Sequence, residues 1–274
     1  MNKLLSANFV RLKKSKYLWI GMFCMFALSV FITLARYDDM KRYGFSYTIE
    51  ESFFYYTMFI GIASSAFCSL YLGTEYSDGT IRNKLMVGHT RTAIYLSNLI
   101  ICFLAGAFMI VSFVLPMIMI GIPCFGFFHI PIKNILFTFF ASLMMLLALT
   151  SFFIIICMLI QNKAAAAVIT ILGMFALLFA ATYVVSQLDQ TETIHDYSLV
   201  NGEWQEGPEV PNPRYPTGIK RTIYELLLDI LPTGQAIQYI ASQAIRWQLP
   251  LYSFLIAIII TLGGILLFGR KDIK

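Results

Sequence analysis

Charge is what this chain lacks. Of its 274 residues only 13% are Asp, Glu, Lys or Arg, about half of the roughly 25% usual in soluble domains. A soluble domain of this size needs a charged shell, and these residues cannot make one. An ordinary soluble enzyme, a disordered chain and a coiled coil are therefore excluded. The long apolar runs also exclude an outer-membrane barrel, whose strands alternate apolar with polar. Cysteine is scarce too: Cys24, Cys68, Cys102, Cys124 and Cys157 nearly all fall in apolar runs, with no CxxC spacing. They read as small packing residues and support neither disulfides nor zinc. The three His, at 89, 129 and 195, lie in three different segments, so no shared metal site is expected.

What is abundant is apolar: 58% of residues, with 24 Phe. The gaps between charges show how it is organised. Residues 17–35, 52–74, 134–162, 164–188 and 247–269 are each free of charge, and so is the 41-residue stretch 92–132. A helix rises about 1.5 Å per residue, so roughly 20 residues cross a bilayer core of about 30 Å. Five gaps are one span each. In the long gap Pro116, Gly121, Pro123 and Gly126 punctuate the second half. One span at about 93–117 is expected there, then an apolar loop or short re-entrant piece. The expected fold is all-α and integral to the membrane, with six spans at about 17–35, 52–73, 93–117, 134–160, 164–186 and 249–268. The whole chain, 1–274, reads as one transmembrane domain.

Lys and Arg orient it. With both termini inside, the inner segments hold 12 Lys and Arg against Glu75, Asp78 and Asp272, and the outer ones 8 against 12 acids. The net +5 of the chain thus belongs to membrane orientation and does not imply nucleic acid. A signal peptide is the rival reading of the N-terminus, but the 19-residue run is long and no convincing small-x-small site follows it. Residues 1–16 place Leu5, Phe9 and Leu12 at helical spacing among basic residues, which predicts an amphipathic helix on the inner leaflet, facing anionic lipid.

Between the spans, the inner segment 74–92 is too long for a tight turn. Ser77 or Asp78 can cap a short helix there and Gly88 can end it. The outer segment 189–246 changes character halfway. Residues 189–218 are acidic and carry Pro208, Pro211, Pro213 and Pro216, which reads as an irregular or β-hairpin-like loop. Residues 220–246 repeat apolar positions at helical spacing, broken at Pro232 and Gly234; two short helices at or dipping into the outer face are expected. Gly61, Ser65 and Ser69, and likewise Gly173, Ala176 and Ala180, place small residues on one helix face. They read as in-chain packing or as a helix interface or pathway between subunits.

Catalytic chemistry is missing. No ionisable residue except His129 falls inside an uncharged run, which disfavours an ion-coupled transporter or intramembrane protease. Gly264 to Gly269 has GxxxxG spacing without the Lys-Ser/Thr that holds phosphate. No catalytic residue, metal or cofactor is expected on this chain. If transport is driven, the energy enters from another polypeptide through the inner surface.

That surface carries a resemblance. The run Leu72-Gly73-Thr74-Glu75-Tyr76-Ser77-Asp78-Gly79-Thr80-Ile81-Arg82-Asn83-Lys84-Leu85, with Thr90-Arg91 after it, resembles the first inner loop of ABC type-2 (ABC-2) permeases. The basic N-terminal helix and the Phe268-Gly269-Arg270-Lys271-Asp272 tail are similar to that family's ends. The resemblance implies an ABC-2 exporter architecture with re-entrant outer helices before the last span. It implies two permease halves (a second copy or a homologue) paired with a dimer of cytoplasmic ATPase subunits, which bind ATP and Mg. By carry-over Glu75, Tyr76, Asp78, Gly79, Thr80, Arg82 and Arg91 shape the ATPase contact. Glu75 would cap or pair there, Gly79 would permit a turn and Arg82 would pair with an ATPase carboxylate. Permeases of this length resemble antimicrobial-peptide or antibiotic export and immunity subunits in bacterial cell membranes, so the substrate implied is a peptide, antibiotic or other amphipathic molecule. The acidic segment 189–218 is where the chain departs from the pattern. The competing reading is a membrane sensor or anchor, whose segment 189–246 binds a ligand and whose 75–91 loop recruits a cytoplasmic partner.

Overall fold

The structure, a computed structural model, describes residues 2–200, 203–242 and 244–272. Positions 1, 201, 202, 243, 273 and 274 lie outside it, among them Lys274 of the basic tail. Among the described residues six helices are long and apolar enough to cross a membrane. They are α2 (Lys16–Tyr43), the pair α3 (Glu50–Phe53) and α4 (Tyr56–Ser77), α6 (Arg91–Phe125), α7 (Ile132–Leu159), α8 (Lys163–Leu188) and α11 (Gln248–Arg270). An N-terminal helix, α1 (Asn2–Lys14), precedes them, and a short α5 (Thr80–Met86) joins α4 to α6. Between α8 and α11 come an antiparallel hairpin, β1 (Thr193–Val200) with β2 (Glu203–Pro211), and then α9 (Gly218–Ile230) and α10 (Pro232–Ala241).

Two spans run well past their expected ends. The first is helical to Tyr43, past Arg36, because the absence of charge marks where the lipid is and not where the helix stops. Asp38 and Arg42 pair at 2.7 Å one turn apart, and Gly44 ends the helix in the left-handed region. The third is corrected more sharply. No apolar loop begins at residue 118: α6 runs 35 residues to Phe125 with Pro116 and Pro123 inside it. Proline within a helix forfeits a hydrogen bond. In lipid, however, unravelling the backbone would leave many more groups unpaired. Pro116, Met117 and Gly121 are buried against the rest of the bundle, with Gly121 facing Ile49. The face of α1 is also rotated from expectation. Leu4, Asn8 and Leu12 are buried, while Leu5 and Phe9 are half-buried.

The helices α4 and α7 form the centre, and α2, α8 and α11 are the outer staves. Helices α9 and α10 dip into the bundle from the end opposite α1. Their elbow, Ile230–Leu231–Pro232, lies against Ala148, Leu149 and Phe152 of α7, Leu177 of α8, and Ile256 and Ile260 of α11. Leu177 is 11 residues from the end of α8, so the elbow reaches about 15 Å inward, near mid-bilayer. Gln235 holds it there. Its amide donates to the carbonyls of Asp229 (2.8 Å) and Leu249 (3.1 Å) and accepts from Ser253 (2.7 Å) and Tyr239 (3.3 Å). All four hydrogen-bonding sites of a fully buried amide are thus used. Thr57 and Thr233 donate to the carbonyls of Ala236 and Leu177, tying α10 to α4 and α8. At the same end Glu50 accepts the backbone N–H groups of His129 and Ile130 and so pins the α6–α7 connection.

The elbow depends on Gly234. A Cβ there would stand 2.3 Å from the Leu228 carbonyl oxygen, backbone that cannot swing aside. Gly234→Ala should cost about 1–3 kcal/mol and lower the melting temperature of the purified protein in detergent. Gly263→Ala on α11, where a Cβ would meet nothing within 4 Å, should not.

Candidate functional site

The inner loop expected to carry the contact sits at the basic end of the bundle, where α1, α5 and one end of each of the six spans lie. Gly79 makes the corner. Its φ of +64° lies in the left-handed region, where a side chain is costly, and it lets α5 leave α4 at once. Gly79 occupies the helix-capping position itself, and no side chain caps α5. The expected cap by Ser77 or Asp78 is replaced by this glycine corner.

Beneath the corner lies a buried charge cluster. The Glu75 carboxylate is fully buried. It accepts from the guanidinium of Arg11 on α1, from Lys84 Nζ of α5 at 2.6 Å and from Asn98 Nδ2 of α6 at 3.0 Å. Arg11 also donates to the Tyr71 carbonyl and the Thr74 hydroxyl, and its guanidinium stacks 4.6 Å over the Tyr71 ring. Asn8 donates to Ser97 (2.8 Å) and to Asn98 Oδ1 (3.2 Å). One carboxylate thus joins four helices. A charge here is stable only because two cations and an amide replace its water.

The neighbouring candidates are also engaged inside the chain. Tyr76 donates to the Met158 carbonyl at the end of α7 (2.6 Å), and Lys271 Nζ reaches that carbonyl and the Tyr76 ring. Burial draws the Lys271 pKa below its ordinary value. Arg91 donates to the Phe268 and Lys271 carbonyls and closes the end of α11. Glu75, Tyr76 and Arg91, expected to shape the contact, are buried or half-buried beneath the exposed face. The reason is that each is met by groups from distant segments. Asp78 and Arg82 are exposed and Thr80 is half-exposed. Arg82 has no hydrogen bond or ion pair among the described residues. Beside them protrude Met86 (69% exposed) and Val87 (79%). A groove of about 380 Å³ runs between α1 and α5, lined by Leu4, Ala7 and Val87 with Lys3, Arg11, Lys84 and His89 around it.

Sequence reasoning missed Arg11 and Asn98. Arg11 was legible: it shares the α1 face of Leu4, Asn8 and Leu12. Asn98 carried no charge and vanished inside an uncharged run.

The two small-residue faces differ. Gly61, Ser65 and Ser69 are buried. Gly61 faces Met174 and Leu149, and Thr170 of α8 approaches the Ser65 carbonyl. That face packs α4 against α8 within the chain. On α8, Gly173 is half-exposed and Ala176 and Ala180 are exposed, so their face is open.

The match to a known family is made over residues 4–181 by the model described as "ABC-2 family transporter protein". The chain belongs to the ABC-2 transporter family. It is a multi-pass membrane protein and a transport component. No curated protein and no solved structure gives a match. The ABC-2 match covers α1 and the first five spans but for the end of α8, so it includes the whole Glu75 cluster.

Removing the Glu75 charge would strand Arg11 and Lys84. Glu75→Gln should destabilise the protein by roughly 3–5 kcal/mol, read as a large fall in melting temperature. Arg82→Ala, on the exposed face, should stay within about 0.5 kcal/mol of wild type.

Proposed function

We propose that this ABC-2 chain is the permease subunit of an ATP-driven exporter, moving a peptide, antibiotic or other amphipathic molecule outward across a bacterial cell membrane. ATP and Mg are held by a separate cytoplasmic ATPase dimer, and a second permease copy or homologue completes the pathway. The observation that carries this reading is the Met86–Val87 knob. It is exposed and apolar, it stands on the basic end, and it is mounted on a buried cluster that reaches α1, α4, α5 and α6. An exposed apolar tip is costly in water and is suited to a partner's pocket. A push on it is borne by α5, whose Lys84 is fastened to Glu75, and so passes to the spans.

In this reading Asp78, Thr80 and Arg82 face the ATPase directly. Glu75, Tyr76 and Arg91 position that face, and Gly79 sets its angle. The open α8 face with Gly173, Ala176 and Ala180 belongs to the second permease half or to the pathway. The buried Gly61–Ser65–Ser69 face serves packing.

Two experiments test it. Replacing both Met86 and Val87 with Asp should cost ~2 kcal/mol or more of partner binding. A co-expressed ABC ATPase that co-purifies with the wild type should then be lost on purification while the permease melts as wild type. An undiminished complex would sink the coupling assignment. For the substrate, cells expressing the pair should resist membrane-active peptides or antibiotics that kill cells carrying the double variant.

A further inference from the structure

On the flank of α1 away from α5, a second groove of about 310 Å³ is lined by Leu5, Ser6 and Phe9 of α1 and by Ile101 and Leu104 of α6. Ile101 and Leu104 belong to a span, 10 and 13 residues in from Arg91. This groove therefore opens at the level of the bilayer and not into water. At its edge the Lys13 ammonium lies 4.9 Å over the Phe9 ring.

The segment that carries α1 into the first span bears charge of one sign. Residues 1–35 contain five Lys and Arg and no acid. Arg11 is committed to Glu75. Lys13 and Lys14 are exposed and have no carboxylate partner among the described residues. The next acid, Asp38, lies near the far end of α2. The level of the lipid headgroups is marked as well. Trp19 is 60% exposed and donates its indole N–H to the Lys13 carbonyl at 3.0 Å. An exposed indole anchored by its polar edge is the side chain that seeks the membrane–water boundary.

We infer that this groove is a binding site for a single anionic phospholipid, one acyl chain lying along Leu5, Phe9, Ile101 and Leu104 and the phosphate resting on Lys13. An apolar slot with a lone uncompensated ammonium at its mouth matches that ligand: alkyl chain below, negative phosphate above. The site has a consequence for the Glu75 cluster. The same helix carries Asn8 and Arg11 into the bundle, so a lipid that holds α1 in place also holds the Arg11–Glu75 pair. The inference needs only the membrane position of α1 and α6, not an ATPase.

The full chain in nanodiscs of equal phosphatidylcholine and phosphatidylglycerol tests it, with the lipid retained on gentle extraction read by native mass spectrometry. One phosphatidylglycerol should stay with the wild type. Lys13→Gln should reduce its retention roughly fivefold. Leu104→Trp, which fills the groove, should abolish it, and Arg82→Ala should leave it unchanged. Equal retention of the two lipids would overturn the inference, as would undiminished phosphatidylglycerol on Lys13→Gln. So would the groove's protection by a second copy of the chain or by an ATPase rather than by lipid. Lys13 is exposed, so its variant keeps the test valid even if Leu104→Trp fails to fold.

Discussion

A carboxylate buried without water is tolerable only where charge and hydrogen bonds replace its hydration. Glu75 meets that condition with groups from three other helices: Arg11 of α1, Lys84 of α5 and Asn98 of α6. The requirement works in both directions. Arg11 and Lys84 in turn have Glu75 as their shared counter-ion, so α1, α4 and α5 are fastened to one another through it. The basic end of this ABC-2 permease is thereby made one body. α1 becomes part of the bundle, and α5 cannot move without Lys84 pulling on Glu75 at the end of α4.

At the opposite end the elbow of α9 and α10 is held by the same rule with neutral groups. Gln235 spends every hydrogen-bonding site of its amide on α9, α10 and α11, which lets a broken helix sit near the bilayer centre. The two ends differ in what they resist. Two cations gathered on one buried carboxylate make the basic end stiff against an applied push. Around the elbow of α9 and α10, apolar side chains enclose a cavity of about 170 Å³, and the apolar stripe of α9, with Ile223, Leu226 and Leu227, stays uncovered. The proposed exporter uses such a division: in that reading force enters at the rigid end, and rearrangement occurs where contacts are apolar and exchangeable.

Much of this was legible in the residues. The six spans follow from hydropathy because lipid leaves a chain little alternative to the helix. The two short helices of 220–246 follow from the apolar spacing and its break at Pro232 and Gly234, whereas the acidic, Pro-rich 189–218 leaves an irregular loop and a hairpin open. The inner loop is readable as the informative surface, but which of its residues face outward and which are buried beneath it is not. Glu75 bounds the second charge-free gap, and its expected role is to cap or pair at the contact; that it is buried does not follow from its position. A method that defines spans by the absence of charge cannot find a charge buried at the end of one. It likewise cannot see Asn98, or judge that Pro116 and Pro123 lie within a helix.

The sequence by itself determined the medium, the number of crossings, the sign of each end and the glycine at the corner of α5, since each depends on composition or on one residue's own backbone. Only the tertiary structure decided which polar groups meet. Arg11 and Glu75 are 64 positions apart, and Arg91 and Phe268 are 177 apart. No periodicity carries that information, because partners at such separations are set by how the spans pack. Packing is also what turned Glu75, Tyr76 and Arg91 from a surface into its foundation and left Arg82, Met86 and Val87 as the surface.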